Sequence, residues 1–281
     1  MDRDEARASD FRPRAPLRVC VIGAGAIARR LVELASERLA GSIVFSAFAM
    51  RESTVPRPWW PDGIRQITDP GGLAELRPDV VVEAASRDAV AQWGSAALRS
   101  ARKLIVCSAS AFTDDAVLQT MQATARAEGS QMVLAHGALG GLHALSAAAL
   151  LPLDQVTHTI CKPVSAWKGT LAEAMLDLAG LASAATFFEG SAREAARSYP
   201  ANANSVVVSS LAGVGLDRTL VRLIADPRAR LNRHTVEARG RFGHFNLEIE
   251  NQPMASNPKT SDMTALSLVA LLEAETGAMV V

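Results

Sequence analysis

The stretch LRVCVIGAGAIARR, residues 17–30, decides the fold that this sequence predicts. Six apolar residues rich in β-branched side chains, Leu17–Ile22, run directly into Gly23 and Gly25, and an apolar-periodic helical pattern follows at once. This order predicts a strand, a tight turn and a helix. Gly23 permits the turn, Gly25 lets the backbone approach a pyrophosphate, and the small Ala28 allows close packing of the helix on the strand. The pattern favours dinucleotide binding over an ordinary glycine-rich turn.

The helix of this unit is expected to complete a phosphate site. Its first N–H groups are unpaired and carry partial positive charge, and both properties favour an anion at the helix N-terminus. The predicted cofactor-binding residues of the turn are Gly23, Gly25, Ala26, Ile27 and Ala28.

Composition limits the classes of protein to which the chain can belong. The 281 residues are 49% hydrophobic and 21% charged, which favours two domains with sizeable cores. Lys plus Arg equals Asp plus Glu at 29 each, so no overall charge attracts the chain to nucleic acid or to an anionic membrane. Cys20, Cys107 and Cys161 show no metal-type spacing and are typical of buried thiols in a reducing cytoplasm, where we expect the protein to reside.

The first half of the chain predicts an α/β fold, a doubly wound parallel sheet of the Rossmann type. Strands are expected at residues 43–50, 79–85, 103–108 and 131–135, and helices at 88–101 and 114–128. Apolar strands that alternate with helices are typical of a parallel sheet covered on both faces. Ala84, Ala85 and Ser108 end two of these strands, where the cofactor crevice of such a sheet lies, so we expect them to contact the cofactor.

The end of the second strand bears on the choice between NAD and NADP. An NAD site usually has Asp or Glu here for the ribose 2′-hydroxyl, whereas this strand ends in Met50, Arg51 and Glu52. Arg51, helped by Arg57, could bind a 2′-phosphate, and it could equally be a solvated loop residue. The cofactor is therefore predicted as NAD or NADP.

The pattern changes after a glycine-rich corner, HGALGGLH, at residues 136–143. Strands predicted at residues 156–161, 219–225, 234–239 and 243–250 alternate in polarity or carry polar faces. This is typical of an open, mixed sheet in a second, α+β domain. Two capping boxes, Thr170 with Glu173 and Ser191 with Glu194, predict helix starts within it.

These patterns predict a division of the chain into four parts. They are a flexible tail over residues 1–16, a dinucleotide-binding domain over 17–138, a second α+β domain over 139–256, and a C-terminal segment over 257–281. The last segment contains an apolar helix from residue 263 to about 275, which we expect to pack back on the first domain.

Several polar residues are not required by this fold. His234 stands at the start of a strand after a loop, where a histidine is more often structural or solvated than catalytic. Asn204 opens a helix, where an asparagine can serve simply as the N-cap. The candidates for binding an anionic substrate are Lys162 at a strand end and Lys259, Thr260 and Ser261 ahead of the last helix.

Taken together, six ordered motifs resemble the L-aspartate dehydrogenase family, which is related in architecture to homoserine dehydrogenase and dihydrodipicolinate reductase. The motifs are VIGAGAIA (21–28), HGALGGLHAL (136–145), KPVSAWKGTLAEA (162–174), FFEGSAREAARSYPANANS (187–205), ADPRARLNRHTVEARGRFG (225–243) and NPKTS (257–261). The resemblance covers nearly the whole chain from Leu17 onward.

The resemblance implies a reaction and roles for particular residues. The reaction is the reversible, NAD(P)-dependent oxidative deamination of L-aspartate to iminoaspartate and then oxaloacetate and ammonium. His234 is implied as the catalytic histidine, Ala138 and Asn204 as cofactor contacts, and Asn204 as a bridge to the substrate. Because iminoaspartate is a precursor of quinolinate, a role in NAD biosynthesis is also implied, and similar enzymes suggest a homodimer formed through the second sheet.

Two departures and two alternatives accompany this interpretation. Many family members have an acidic residue where this chain has His143. The end of the second strand, at Met50 and Arg51, also lacks the acidic residue of an NAD site. The chain could act on another small amino acid or dicarboxylate, or it could be a nucleotide sensor without turnover. A sensor would give no reason for His234 and the NPKTS segment to accompany the binding domain.

Overall fold

The structure of the chain, a computed structural model, describes residues 15–52 and 55–280, with only the backbone described at residues 201, 258 and 259. The predicted flexible tail lies outside the described residues over positions 1–14. Within the described part of the chain, no helix is long and apolar enough to cross a bilayer.

The first half of the chain forms a six-stranded parallel sheet. Its elements are β1 (Leu17–Ile22), α1 (Ala26–Arg38), β2 (Ile43–Ala49), β3 (Arg65–Ile67), α2 (Gly72–Leu76), β4 (Val80–Glu83), α3 (Arg87–Ser100), β5 (Lys103–Val106), α4 (Asp115–Glu128) and β6 (Gln131–Leu134). The strand order β3-β2-β1-β4-β5-β6 reverses direction between β1 and β4. This confirms the predicted doubly wound sheet, and a ligand is expected at the carboxyl ends of β1 and β4.

The central strands are apolar because both faces of this sheet are covered. Every residue of β4 is buried, as are the last four residues of β1. On one face, α1 buries Leu31 and Ala35, and on the other α3 buries Trp93 and Leu98. Continuous burial explains why these strands are apolar runs rather than alternating sequences.

The second half builds a mixed sheet of five strands. Its elements are α5 (Leu142–Ala148), β7 (Leu153–Pro163), α6 (Ala172–Met175), β8 (Ala185–Ser191), α7 (Ala192–Ser198), α8 (Ala203–Ala212), β9 (Leu220–Asp226), β10 (Asn232–Gly240) and β11 (Gly243–Asn251). The order is β11-β10-β7-β9-β8, with β7 and β9 parallel and the other pairs antiparallel. The predicted open, mixed sheet is therefore confirmed, and β8 is an additional strand that the sequence pattern did not predict.

One face of this second sheet carries the core of the second half. Val156 and Ile160 on β7 and Val236 and Ala238 on β10 are buried, and on β10 the alternate residues Thr235 and Glu237 are partly exposed. The capping box at Ser191 and Glu194 is present as predicted. The one predicted at Thr170 was wrong, because Thr170 Oγ1 donates to the Trp167 carbonyl and α6 has only four residues.

The C-terminal segment returns to the parallel sheet. A short hairpin of β12 (Pro253–Met254) and β13 (Asn257–Ser261) leads into α9 (Met263–Thr276), which packs on α1. Leu268 and Leu272 are fully buried there. Ion pairs from Arg30 to Asp262 and from Arg38 to Glu273 join the two helices along their length.

Candidate active site

A cavity lies between the carboxyl ends of the parallel strands and the inner face of the second sheet. It brings together most of the residues predicted from sequence, namely Ile27, Ala84, Ala85, Ser108, Ala138, Lys162, Asn204, His234, Thr260 and Ser261. The side chain of Lys259 lies outside the described residues, although its backbone belongs to β13. Residues separated by up to 234 positions in sequence thus line one cavity.

The glycine turn between β1 and α1 has the shape that a dinucleotide requires. Gly23 has a φ of +102°, and a Cβ there would lie 2.8 Å from the Ala85 Cβ and 2.9 Å from the Ala84 carbonyl oxygen. A Cβ on Gly25, by contrast, would have no atom within 4 Å. Among the described residues no side chain caps the start of α1, so its first N–H groups are available to an anion beside Gly25. Ala26 is the first residue of this helix, and Ala28 on the same helix is buried, as close packing against the strand requires.

An adjoining cavity continues from the turn to the end of β2. It is lined by Gly23, Gly25, Arg51, Glu52, Arg57 and Asp88, among others. Arg51 and Arg57 are both exposed, and Arg57 Nη1 donates to the Ala24 carbonyl at 3.0 Å. Both arginines share the lining of this cavity with the acidic residues Glu52 and Asp88. This mixture of charges is compatible with either NAD or NADP.

His234 is a buried imidazole on the wall of the first cavity. It is the third residue of β10, pairs with Ile160 on one side and Ile249 on the other, and is 4% exposed. Its Nδ1 lies 3.1 Å from Nε2 of His158. Burial, followed by the charges of His158 and Lys162, holds the pKa of His234 well below its usual value. The ring is therefore neutral at physiological pH and can accept a proton.

Lys162 places a positive charge in the same cavity. Its ammonium group donates a hydrogen bond to Asn202 Oδ1 and lies 5.6 Å from the centre of the Trp167 ring. Burial lowers the pKa of Lys162 to about 8. Among the described residues that line the cavity there is no Asp or Glu, so a carboxylate ligand would complete the charge balance.

The two asparagines near the start of α8 bind groups across the cavity rather than the helix end. Asn202 occupies the N-cap position but makes no side-chain cap, since its oxygen accepts from Lys162. Asn204 Oδ1 accepts the N–H of Ser110 at 2.9 Å, which links α8 to the loop after β5. The N-cap explanation for these asparagines was wrong, because both side chains pair with other elements.

A chain of hydrogen bonds joins the glycine-rich corner to the C-terminal hairpin. Ser261 Oγ donates to Asn251 Oδ1 at 3.0 Å, and Asn251 Nδ2 donates to the Ala138 carbonyl at 2.9 Å. Thr260 lines the same wall, where its hydroxyl accepts from Asn257 at 3.1 Å. The two segments that we predicted as cofactor and substrate contacts therefore support each other.

Besides Asn202 and Asn251, three residues at or beside the site escaped the sequence analysis. Glu83, 1% exposed, accepts hydrogen bonds from the Ala85 and Ser108 N–H groups and from the Ser108 hydroxyl at 2.8–2.9 Å. Burial raises the pKa of Glu83 despite these bonds. The signal was available, since an acidic residue inside the apolar run DVVVEAA requires buried partners.

The other two are histidines, His136 and His158. The His136 ring lies 4.9 Å from that of His143, and burial together with His143 lowers the pKa of His136. His158 is fully buried on β7 beside His234. Its inward position follows from the alternation of β7, but its pairing with His234 requires the strand register.

The fold and this site define a nicotinamide-dependent dehydrogenase with two domains. A family model described as the NAD-binding domain of homoserine dehydrogenase matches residues 23–135, and one described as the C-terminal part of aspartate dehydrogenase matches residues 143–275. The chain is 46% identical to the L-aspartate dehydrogenase of Brucella anthropi over 91% of this chain and 95% of that one. The chain therefore belongs to the L-aspartate dehydrogenase family, as its motifs indicated.

Further comparisons agree with this assignment. L-aspartate dehydrogenase of Cupriavidus necator is 41% identical over 91% of this chain and 96% of its own. The crystal structure of aspartate dehydrogenase from Thermotoga maritima superposes with a TM-score of 0.73 at 25% identity, covering 94% of this chain and 99% of that one. A dihydrodipicolinate reductase from Paenisporosarcina, at a TM-score of 0.52 and 12% identity, shares the fold alone.

Proposed function

We propose that this chain catalyses the reversible, NAD(P)-dependent oxidative deamination of L-aspartate. The product, iminoaspartate, reacts with water to give oxaloacetate and ammonium, and it is also a chemical precursor for NAD biosynthesis. The observation that carries the proposal is a neutral, buried imidazole, His234, on the wall of a cavity that the dinucleotide-binding strands close from the other side. The family assignment supplies the substrate.

The residues of the chain divide the chemistry among them. When bound, the nicotinamide cofactor would supply the hydride acceptor for oxidation at the substrate Cα and the hydride donor for the reverse reaction. Gly25 and the start of α1 would hold the pyrophosphate, and Ala84, Ala85, Ser108 and Ala138, which line the cavity, would hold the nicotinamide. His234 accepts a proton from the substrate ammonium group, so that the substrate nitrogen lone pair assists loss of the hydride, and releases that proton to solvent. The same imidazole then takes a proton from the water that attacks the imine carbon and returns it to the nitrogen that leaves as ammonia.

The substrate carboxylates require positive charge and hydroxyl donors. We assign Lys162 to one carboxylate, because its buried ammonium group has no acidic partner among the residues described around the cavity. Thr260, Ser261 and Lys259 of the C-terminal hairpin are assigned to the other. Asn204 bridges cofactor and substrate from the start of α8.

Assembly and location complete the proposal. The outer face of the second sheet carries partly exposed side chains such as Arg222, Thr235 and Glu248, and this supports a homodimer formed through it. Sedimentation equilibrium should then give twice the mass of the chain. Three free, buried cysteines fit a reducing cytoplasm.

A spectrophotometric screen tests the function. The purified chain is mixed with oxaloacetate, ammonium and either NADH or NADPH, and the absorbance of the reduced nicotinamide is followed. Rapid oxidation that depends on both oxaloacetate and ammonium is expected, and the two cofactors reveal whether Arg51 and Arg57 favour a 2′-phosphate. Faster turnover of homoserine or a dihydrodipicolinate-like substrate would reassign the enzyme. Calorimetric cofactor binding without turnover of any of these substrates would indicate a sensor.

A further inference from the structure

We propose that His158 and Ser209 are positioning residues that hold His234 in the tautomer with its free lone pair on Nε2. Neither residue reaches the cavity as a lining side chain, so each acts through His234. The inference rests on the proposed function for its catalytic meaning. Its physical content, the tautomer of one imidazole, can be measured without substrate or cofactor.

The three side chains form a buried row across adjacent elements. His158 on β7 and Ser209 on α8 are both fully buried. His158 Nδ1 lies 2.9 Å from Ser209 Oγ, and His158 Nε2 lies 3.1 Å from His234 Nδ1. The Ser209 hydroxyl is also 3.1 Å from the Val206 carbonyl oxygen, to which it donates. Every nitrogen and oxygen of the row therefore has a partner except one, His234 Nε2.

Counting protons along the row gives the tautomers once the Ser209 hydroxyl donates to the Val206 carbonyl. A hydroxyl has one hydrogen, and when it is donated to Val206, Ser209 Oγ is left to accept from His158 Nδ1–H. A neutral His158 then has its lone pair on Nε2, which accepts the Nδ1–H of His234. His234 Nε2 must consequently be unprotonated. The Nε2 atom of His234 forms no hydrogen bond with a described residue. If it were fully buried it would be an unpaired buried atom, and it is not one of these, so Nε2 is accessible from the cavity.

The charges around His234 favour this neutral row. His234 contacts His158 on β7, and it shares the cavity lining with Lys162, His136, Asn204, Thr260 and Ser261. Glu83 lies behind Ser108 and accepts hydrogen bonds from the Ser108 N–H and hydroxyl groups. Full burial lowers the pKa of His158 to about 3, so His158 stays neutral. A neutral imidazole orients His234 without a negative charge that would compete with a substrate carboxylate for Lys162.

Nitrogen-15 NMR of the cofactor-free protein at neutral pH tests the tautomer directly. The chain has five histidines, and loss of one signal in His234→Gln assigns the ring. We expect a protonated Nδ1 and an unprotonated Nε2 in the wild type. In His158→Leu the protonated Nε2 form should become populated, while His158→Gln, whose amide oxygen can accept the same hydrogen bond, should restore the wild-type signal.

Two serines on α8 provide a matched pair of variants. Ser209→Ala removes the acceptor for His158 and should disturb the tautomer. Ser210→Ala removes a hydroxyl that bonds only the Val206 carbonyl and should leave it unchanged. This pair keeps the test valid even if His158→Leu fails to fold.

Turnover gives the second readout. His158→Leu should lower kcat about 10- to 100-fold, with KM for aspartate and cofactor affinity within about two-fold, because the loss is in orientation of the base. His158→Gln should recover most of it. A wild-type His234 protonated on Nε2, or a tautomer unaffected by both Ser209→Ala and His158→Leu, would overturn the proposal. A tautomer that follows His158 in a protein inactive on aspartate would instead overturn only the proposed function.

Discussion

The titratable groups that line the cavity include two imidazoles, His136 and His234, and the ammonium group of Lys162, set among amide, hydroxyl and small apolar side chains. His234 is neutral because burial and two neighbouring basic groups disfavour its charged form. Lys162 keeps a pKa of about 8 because desolvation acts on it without a carboxylate partner. A base and a cation of this kind suit a substrate that brings both an ammonium group and carboxylates.

Replacement of the base should reduce turnover and preserve binding. We expect His234→Ala to lower kcat by about 10²- to 10⁴-fold, the usual contribution of a general base, while cofactor affinity is nearly kept. Steady-state kinetics with aspartate and calorimetric titration of the cofactor measure the two effects. His244→Ala, which changes an exposed histidine on β11, is the matched control and should behave as wild type. Normal turnover in His234→Ala would remove this residue from the mechanism.

The charge of Lys162 should control binding of a dicarboxylate. Succinate, which has two carboxylates and no amino group, should compete with aspartate, and its inhibition constant should rise as pH increases through about 8, where the ammonium group loses its proton. Lys162→Met should weaken inhibition roughly 30-fold or more and abolish this pH dependence. Lys168→Met alters an exposed lysine five positions beyond the end of β7 and should change neither. Unaltered inhibition in Lys162→Met would contradict the assignment.

At the scale of elements, the two glycines of the β1–α1 turn, Gly23 and Gly25, meet different structural requirements. Gly23 has a backbone conformation that side chains rarely adopt and lies against Ala84 and Ala85, so it serves the fold. Gly25 has ordinary extended dihedral angles and open space around it, so the fold does not require glycine there and the space is available to a ligand. The motif alone does not distinguish these two roles.

Alanine substitutions should separate the two roles experimentally. Gly25→Ala should keep the wild-type melting temperature within about 2 °C yet weaken cofactor binding at least 10-fold, because the new methyl group occupies space for the pyrophosphate. Gly23→Ala should lower the free energy of unfolding by about 1–3 kcal/mol, because it adds backbone strain and a close contact. Thermal unfolding and calorimetric titration measure both. Equal losses of stability in the two variants would show that this division is wrong.

At the scale of the whole molecule, polar contacts join the two halves both beside the cavity and further out. Asn204 binds Ser110, and Asn251 binds the Ala138 carbonyl. Further out, Arg193 on α7 reaches the Thr113 carbonyl at 3.0 Å. The position of His234 over the parallel sheet therefore depends on the packing of both halves together.

Burial of neutral histidines should make the folded state sensitive to acid. His158 and His234 have folded pKa values below the 6.5 of an exposed histidine, so the unfolded chain binds more protons as pH falls. Their contribution to stability is complete above pH 6.5 and is lost progressively below it. For His158 alone the loss between pH 7 and pH 5 should be about 2 kcal/mol.

Denaturant unfolding at several pH values checks this expectation. The wild type is compared with His158→Gln, in which one of the two buried titrating groups is absent and the other groups are retained. The difference in unfolding free energy between the two proteins should change by about 2 kcal/mol from pH 7 to pH 5. A difference that is constant with pH would mean that His158 is not buried in its neutral form.

The order of helices and strands along the chain could be predicted from the sequence. Continuous apolar runs indicate burial on both faces, as at β1, β4 and β5, and alternating polarity indicates burial on one face, as at β7, β10 and β11. The glycine turn is equally local, because each of these signals depends only on the residues of its own segment. The motifs identified the family for the same reason, since each is a continuous segment. The predicted residues Lys162, Asn204 and His234 came from these segments.

The pairings inside the cavity were decided only by the tertiary structure. That His158 bonds His234 depends on the register between β7 and β10, and a shift of one residue would turn one ring to the opposite face. That Glu83 binds Ser108, or that Asn202 binds Lys162 instead of capping α8, depends on which strand ends meet. The sequence of a segment indicates which of its residues are buried. The packing of segments that are distant along the chain determines which buried groups become hydrogen-bond partners.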